Sequence, residues 1–365
     1  MYLEIAHCRT RQRRLLEVMQ RERLDLVIVN QPAHVQWLVG RRFSTLFESA
    51  VALSADGRCT LASPLENLDN VAADEIVAFP SNRYSTLRND QQQAAEEALL
   101  QALAGRPQPR RLGIEFSSAP AHVTTRLSAQ LVDVEPELYR LRRRKEADEV
   151  ALLRKAIDTS GAMYARAREI IKPGIKEFDV FCELHTVAVK STGETTTGVG
   201  NDFQCGTSGG PPRERAAEDG ELYIIDLSPS CQGYYADTCR TIAVNKRPTD
   251  DQHKAWEKIE RVQRYVERTV KPGVRCREIF DAAQALLDEY RLGAFAHHLG
   301  HGIGLFPHEA PHLNPNWDDV FEEGEVFTAE PGLYGPELRG GIRIENDFLV
   351  TAAGVELLSR FSEAL

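Results

Sequence analysis

The sequence predicts a two-domain protein: an N-terminal α/β domain over residues 1–139 and a C-terminal α+β domain over 140–365. Three observations carry that expectation. A chain of 365 residues exceeds what one hydrophobic core usually serves. Short apolar runs alternate with helical patterns as far as Pro136, as in an α/β layer domain. Beyond that, REIIKPGIKEFDVFCELHTVAVKSTG (168–193) is loosely repeated as ERTVKPGVRCREIFDAAQALLDEYRLG (267–293), with the two KPG triplets 99 residues apart. A β-rich segment follows each copy, so the C-terminal domain is expected to consist of two related halves, each a helix pair with a sheet.

Taken in order, residues 7–24 carry Leu15, Leu16, Met19 and Leu24 at helical spacing, and LDLVIV (24–29) reads as a buried strand. Strands are expected near 49–54 and 58–62, a helix near 64–73, a strand at 75–79 and a helix at 90–104. After the GRPQP linker (105–109) come strand 111–116, helix 119–130 and strand 131–136. The basic run RLRRRKEADE (140–149) then opens a long helix to about residue 171; its charges are those of a solvated helix start. Helices around the KPG turns and β segments over 223–244 and 326–350 complete the chain.

A net charge of −10 argues against a nucleic-acid or anionic-membrane partner. No apolar run approaches the roughly 20 residues that span a bilayer, and MYLEIAHCRTRQRRLLEVMQ is too polar for a signal-peptide core. The seven cysteines are odd in number and form no CxxC, which fits free thiols in a reducing, cytoplasmic setting.

The densest chemistry lies in HHLGHGIGLFPHEAP (297–311). It holds four of the ten histidines, His297, His298, His301 and His308, and a glycine at every second position from Gly300 to Gly304. Two motifs nearby are decoys. His308–His312 matches HExxH, but Pro307 and Pro311 preclude the regular helix that motif requires. Gly206–Gly210 matches GxSxG, but Pro211-Pro212 stand where the helix of a nucleophile elbow should begin.

Four acids sit inside apolar strand-like runs: Asp226 in YIIDLS, Asp237 in GYYADTCRT, Glu330 in VFTAEPGLY and Glu345 in GIRIENDFLV. Strands joined by a turn at Pro229 and Gly233 would set Asp226 beside Asp237. A buried carboxylate costs several kcal/mol unless paired or coordinated, and pairing with Arg240 or Arg343 is the structural alternative. Four such acids with an imidazole carry too much charge for one divalent ion, whereas two ions, roughly 3.5–4 Å apart in such centres, balance them. Oxygen-rich ligation without thiolate favours Mn, Co or Zn, and the implied reaction is hydrolysis.

These residues resemble the pita-bread metallopeptidases: aminopeptidase P, prolidase and methionine aminopeptidase. The likeness covers residues 140–360, and residues 1–139 resemble the creatinase-like accessory domain of prolidases and aminopeptidase P. The resemblance implies metal ligation by Asp226, Asp237, His301, Glu330 and Glu345, with Glu330 also exchanging protons with a bridging hydroxide. It implies proton handling or stabilisation of the intermediate by His308, and a substrate wall of His297, Tyr334 and Arg343. Two divalent ions per chain, manganese first, a short peptide with proline after its N-terminal residue, and a homodimer follow on the same basis. One departure stands out. The family carries a further histidine near the position of Gly209, and this chain has none from 186 to 252. That leaves open a non-proline dipeptide or other small amide as substrate, and, further off, a creatinase-like or non-catalytic member of the fold.

Overall fold

The computed structural model describes residues 2–195 and 197–365, in two compact units, Met1–Arg142 and Arg143–Leu365. The helix Glu135–Arg143 runs through the expected boundary at 139/140 and ends the first unit.

The first unit is a six-stranded mixed sheet. Its order across the sheet is Glu75–Ala78, Cys59–Ser63, Ala50–Ser54, Leu26–Val29, Arg111–Ile114, Gln130–Asp133. Helix Gln91–Leu103 buries Ala94, Ala95, Ala98 and Leu99 against one face, the i, i+4 stripe expected of a half-buried helix. Three expectations need correction. Residues 64–73 form bends and no helix, since Pro64, Asn67 and Asn70 interrupt the pattern. The helix expected at 119–130 is only the turn Ala121–Thr124 after a 3₁₀ turn at Phe116–Ser118. A helix at Pro32–Val39 was not anticipated, although Pro at its start and Gly40 at its end are ordinary boundary signals.

The second unit has the expected repeated build. Helices Ala147–Ile170 and Glu177–Thr192 pack on a three-stranded sheet of Thr238–Ala243, Leu222–Leu227 and Asp202–Cys205. Helices Asp250–Thr269 and Cys276–Asp288 pack on a five-stranded sheet, Glu309–Leu313, Gly300–Gly302, Val326–Ala329, Asn346–Thr351 and Gly354–Leu357. Capping boxes, Glu146 with Glu149 and Thr249 with Gln252, start the first helix of each pair. A bridge between Cys239 and Glu345 joins the two sheets. Because strand side chains alternate, Tyr223, Ile225 and Leu227 pack toward one helix pair. Asp226 is thereby left on the opposite face.

Candidate active site

A cavity of about 630 Å³ in the second unit is lined by Asp226, Asp237, His301, Glu330 and Glu345, and its wall includes His297, His308, Tyr334 and Arg343. All the site residues expected from the sequence therefore meet in one place. Their supports differ slightly from expectation. Asp226 is the penultimate residue of the apolar strand Leu222–Leu227 and pairs in register with Cys239, two residues after Asp237. Glu330 follows strand Val326–Ala329, and Glu345 lies between Gly340–Arg343 and Asn346–Thr351. Both glutamates thus occupy breaks between strands, where the backbone can turn the carboxylate inward. Glycine is required alongside: a Cβ on Gly300 or Gly302 would lie 2.0 Å from the Thr328 carbonyl oxygen or 2.1 Å from that of Ala310.

Ligand atoms of His301, Glu330 and Glu345 lie within 4.8 Å of one another, as do those of Asp226, Asp237 and Glu345, so Glu345 is common to both triads. His301 Nδ1 faces the Gly302 carbonyl at 3.1 Å, which leaves the Nε2 lone pair directed at Asp237 and Glu330, each 3.7 Å away. Burial pushes the His301 imidazole down to about 3, so it is neutral at physiological pH. His308 stacks on it with ring centroids 3.7 Å apart. Burial and then repulsion among neighbouring acids hold Asp237 and Glu345 well above the carboxylate range. Burial likewise raises Asp226 to about 6, with Arg343 pulling the other way. Burial would also raise Glu330, but its hydrogen bond to His298 and the nearby cations bring it to about 2.

Among the described residues, Asp226 Oδ1 and Glu345 Oε2 are buried without a hydrogen-bond partner. Orphaned carboxylate oxygens, shared triads and an oriented imidazole form a donor set that fits divalent cations. The ion-pairing alternative holds only in part: Arg343 Nη2 donates to Asp226 Oδ2 at 2.8 Å, while Arg240 donates to backbone carbonyls and Asn346. Arg343 Nη1 also reaches the Tyr334 hydroxyl at 3.3 Å, and that hydroxyl lies 2.8 Å from His297 Nε2.

Sequence reasoning gave no role to three residues that touch this cluster. His298 Nε2 lies 2.7 Å from Glu330 Oε1. Asp347, fully buried, accepts from the Asp237 amide at 3.4 Å; its placement two residues after Glu345 was a legible sign that it shares a face. Asp202 lines the cavity and pairs with Arg343, and nothing in VGNDFQ distinguishes it from a turn aspartate. The two decoys have no catalytic geometry: His312 lies in a strand and pairs with Asp319, and no helix follows Gly206–Gly210.

Two half-domains of helices on sheets, closing on a buried acid–imidazole cluster, define a metal-dependent hydrolase. The model of metallopeptidase family M24 matches residues 151–352, and that of the creatinase/prolidase N-terminal domain matches 11–144; the chain belongs to metallopeptidase family M24. A protein named Xaa-Pro dipeptidase from Pyrococcus horikoshii is 27% identical over 362 residues, 97% of each chain. Among solved structures, the prolidase from Pyrococcus horikoshii superposes with a TM-score of 0.81 at 26% identity, covering 98% of this chain and all of that one. Dipeptidase PepE from Mycobacterium ulcerans gives 0.80 at 25%, covering 100% and 99%. The chain is a metallopeptidase of this fold, and among the described residues no helix is long and apolar enough to cross a membrane.

Proposed function

We propose that this metallopeptidase hydrolyses Xaa-Pro bonds in short peptides as a two-metal exopeptidase, residues 1–139 being its accessory domain and 140–365 its catalytic domain. The observation that carries the reading is the pair of buried triads sharing Glu345, on a chain alike over nearly its whole length to a protein named Xaa-Pro dipeptidase. In this reading Asp226 and Asp237 hold one divalent ion, and His301, Glu330 and Glu345 complete the pair. Bound there, the ions supply a nucleophilic water at neutral pH and offset charge developing on the scissile carbonyl.

The protein's own groups do the rest. Glu330, kept ionised at about 2, accepts the proton of the attacking water. His308, stacked on the His301 ring and lowered by burial, is neutral, so it can take up the proton that Glu330 removes from the water and release it to the leaving nitrogen. His297, Tyr334 and Arg343, linked by hydrogen bonds, form the wall that orients the peptide. Manganese is the expected metal, with cobalt or zinc as alternatives. A cytoplasmic homodimer completes the proposal, supported for the compartment by seven free thiols.

A second reading, a non-proline dipeptide or other small amide, is favoured by one observation: Gly209 stands where the resemblance places a histidine. One experiment separates the two. Metal-stripped protein is reloaded with Mn²⁺, Co²⁺ or Zn²⁺ and given Xaa-Pro dipeptides, Xaa-Pro tripeptides and non-proline controls, with products read by mass spectrometry. Cleavage confined to Xaa-Pro bonds is expected, and the dipeptide-to-tripeptide ratio assigns the subclass. Cleavage of the controls alone overturns the proline reading.

A further inference from the structure

Asp202 lies directly across the antiparallel pairing from Asp226, Asp202 on strand Asp202–Cys205 and Asp226 on Leu222–Leu227. Like charges facing each other across a strand pair are destabilising, and here one guanidinium answers both: Arg343 Nη2 donates to Asp202 Oδ2 and, at 2.8 Å, to Asp226 Oδ2. Asp202 is itself built in. Its Oδ1 accepts from the Gly210 amide at 2.6 Å, and a Cβ on Gly209 would fall 2.7–2.9 Å from its carboxylate atoms. The Asp202 carboxylate therefore fills the space that a side chain at 209 would need.

We propose that Asp202 is a positioning residue that shares Arg343 with Asp226 and so keeps the guanidinium from pairing with Asp226 alone, leaving Asp226 available to a divalent cation. The inference rests on the metal reading proposed above. Asp226 has one oxygen without a partner and the other on Arg343. A cation arriving there repels the guanidinium and competes with it for the second oxygen. Asp202, anchored by a backbone amide, gives Arg343 an anion to remain with. Without that charge, Asp226 is the nearest carboxylate left to Arg343, and the cation must displace a buried ion pair.

The test is calorimetric titration of Mn²⁺ into metal-free wild type, Asp202→Asn, Arg343→Gln and the double variant. Asp202→Asn is expected to weaken one of two Mn²⁺ sites by about 10- to 100-fold, the usual effect of removing an outer partner of a metal ligand. Adding Arg343→Gln is expected to restore affinity to that of Arg343→Gln alone, because no guanidinium remains to compete; a merely structural role for Asp202 predicts no such rescue. Gly209→Ala, which keeps every charge but crowds the Asp202 carboxylate, is expected to weaken the same site. Two Mn²⁺ bound by Asp202→Asn as tightly as by wild type, or a double variant weaker than Asp202→Asn, overturns this inference alone. Wild-type protein that takes up no Mn²⁺ overturns the metal reading and this inference with it.

Discussion

Glu330 is the residue whose charge state its neighbours control most directly: the hydrogen bond from His298 at 2.7 Å, with the Arg343 cation nearby, holds it ionised inside a cavity that otherwise discourages carboxylates. Glu330→Gln keeps the volume and removes the proton acceptor. Turnover of Xaa-Pro dipeptide is expected to fall to background while the far-ultraviolet circular dichroism is unchanged, and near-normal turnover would remove Glu330 from its role. His308→Ala is expected to lower kcat by about 10²–10⁴-fold, the range of general acid–base contributions; an unchanged kcat would place the proton transfer elsewhere. These residues were legible because an acid in an apolar run has few reasons to exist other than coordination or pairing. Asp202 was not, since Gly-Asn-Asp reads as a turn, and only the pairing register puts it opposite Asp226. His298 was visible as part of a histidine cluster, but its contact with Glu330 depends on a backbone path that spacing does not specify.

At the scale of elements, the loop 206–212 that cradles Asp202 is fastened at both ends by the first residue of helix Glu177–Thr192. Glu177 Oε1 accepts from the Cys205 amide at 3.0 Å and from Arg213 Nη2 at 2.6 Å, while Oε2 accepts from the Arg213 amide at 2.8 Å. Burial opposes the charge, but Arg213 and these amides hold the carboxyl below its ordinary value. Glu177→Gln exchanges charge-assisted bonds for weaker ones and leaves an amide NH₂ facing donors. A loss of about 2–3 kcal/mol is expected from bonds of this class, read as a lower urea midpoint, and an unshifted midpoint would show the anchor to be redundant. Helices and strands with strong periodicity were legible in advance. The short helix Pro32–Val39 was not, because an almost wholly buried helix lacks the polar face that reveals a period.

At the scale of the molecule, both sheets of the second unit converge on acids whose folded-state pKa values burial lifts above their ordinary ones, Asp226 to about 6, with Asp237 and Glu345 also raised well above the ordinary carboxylate value. In metal-free protein these groups bind more protons folded than unfolded, starting from the ordinary aspartate value of 3.8 upward. Stability therefore falls as pH rises through that window. Divalent ions reverse the sign, since ligation favours the deprotonated acids and binding to the folded state alone adds stability. Below about pH 6.5 the lowered His301 and His308 act in the opposite sense, so the melting temperature of metal-free protein is expected to drop between about pH 6.5 and pH 8, and the increment from added Mn²⁺ to be larger at the higher pH. The general self-repulsion of a chain with net charge −10 acts in the same direction, so the discriminating arm is Asp237→Asn. This variant removes one acid of the cluster, and in metal-free form it should show a flatter pH dependence than wild type. A wild-type melting temperature that instead climbs over this range, or an Asp237→Asn slope as steep as wild type, would show that the acids are not held against their charge by the fold.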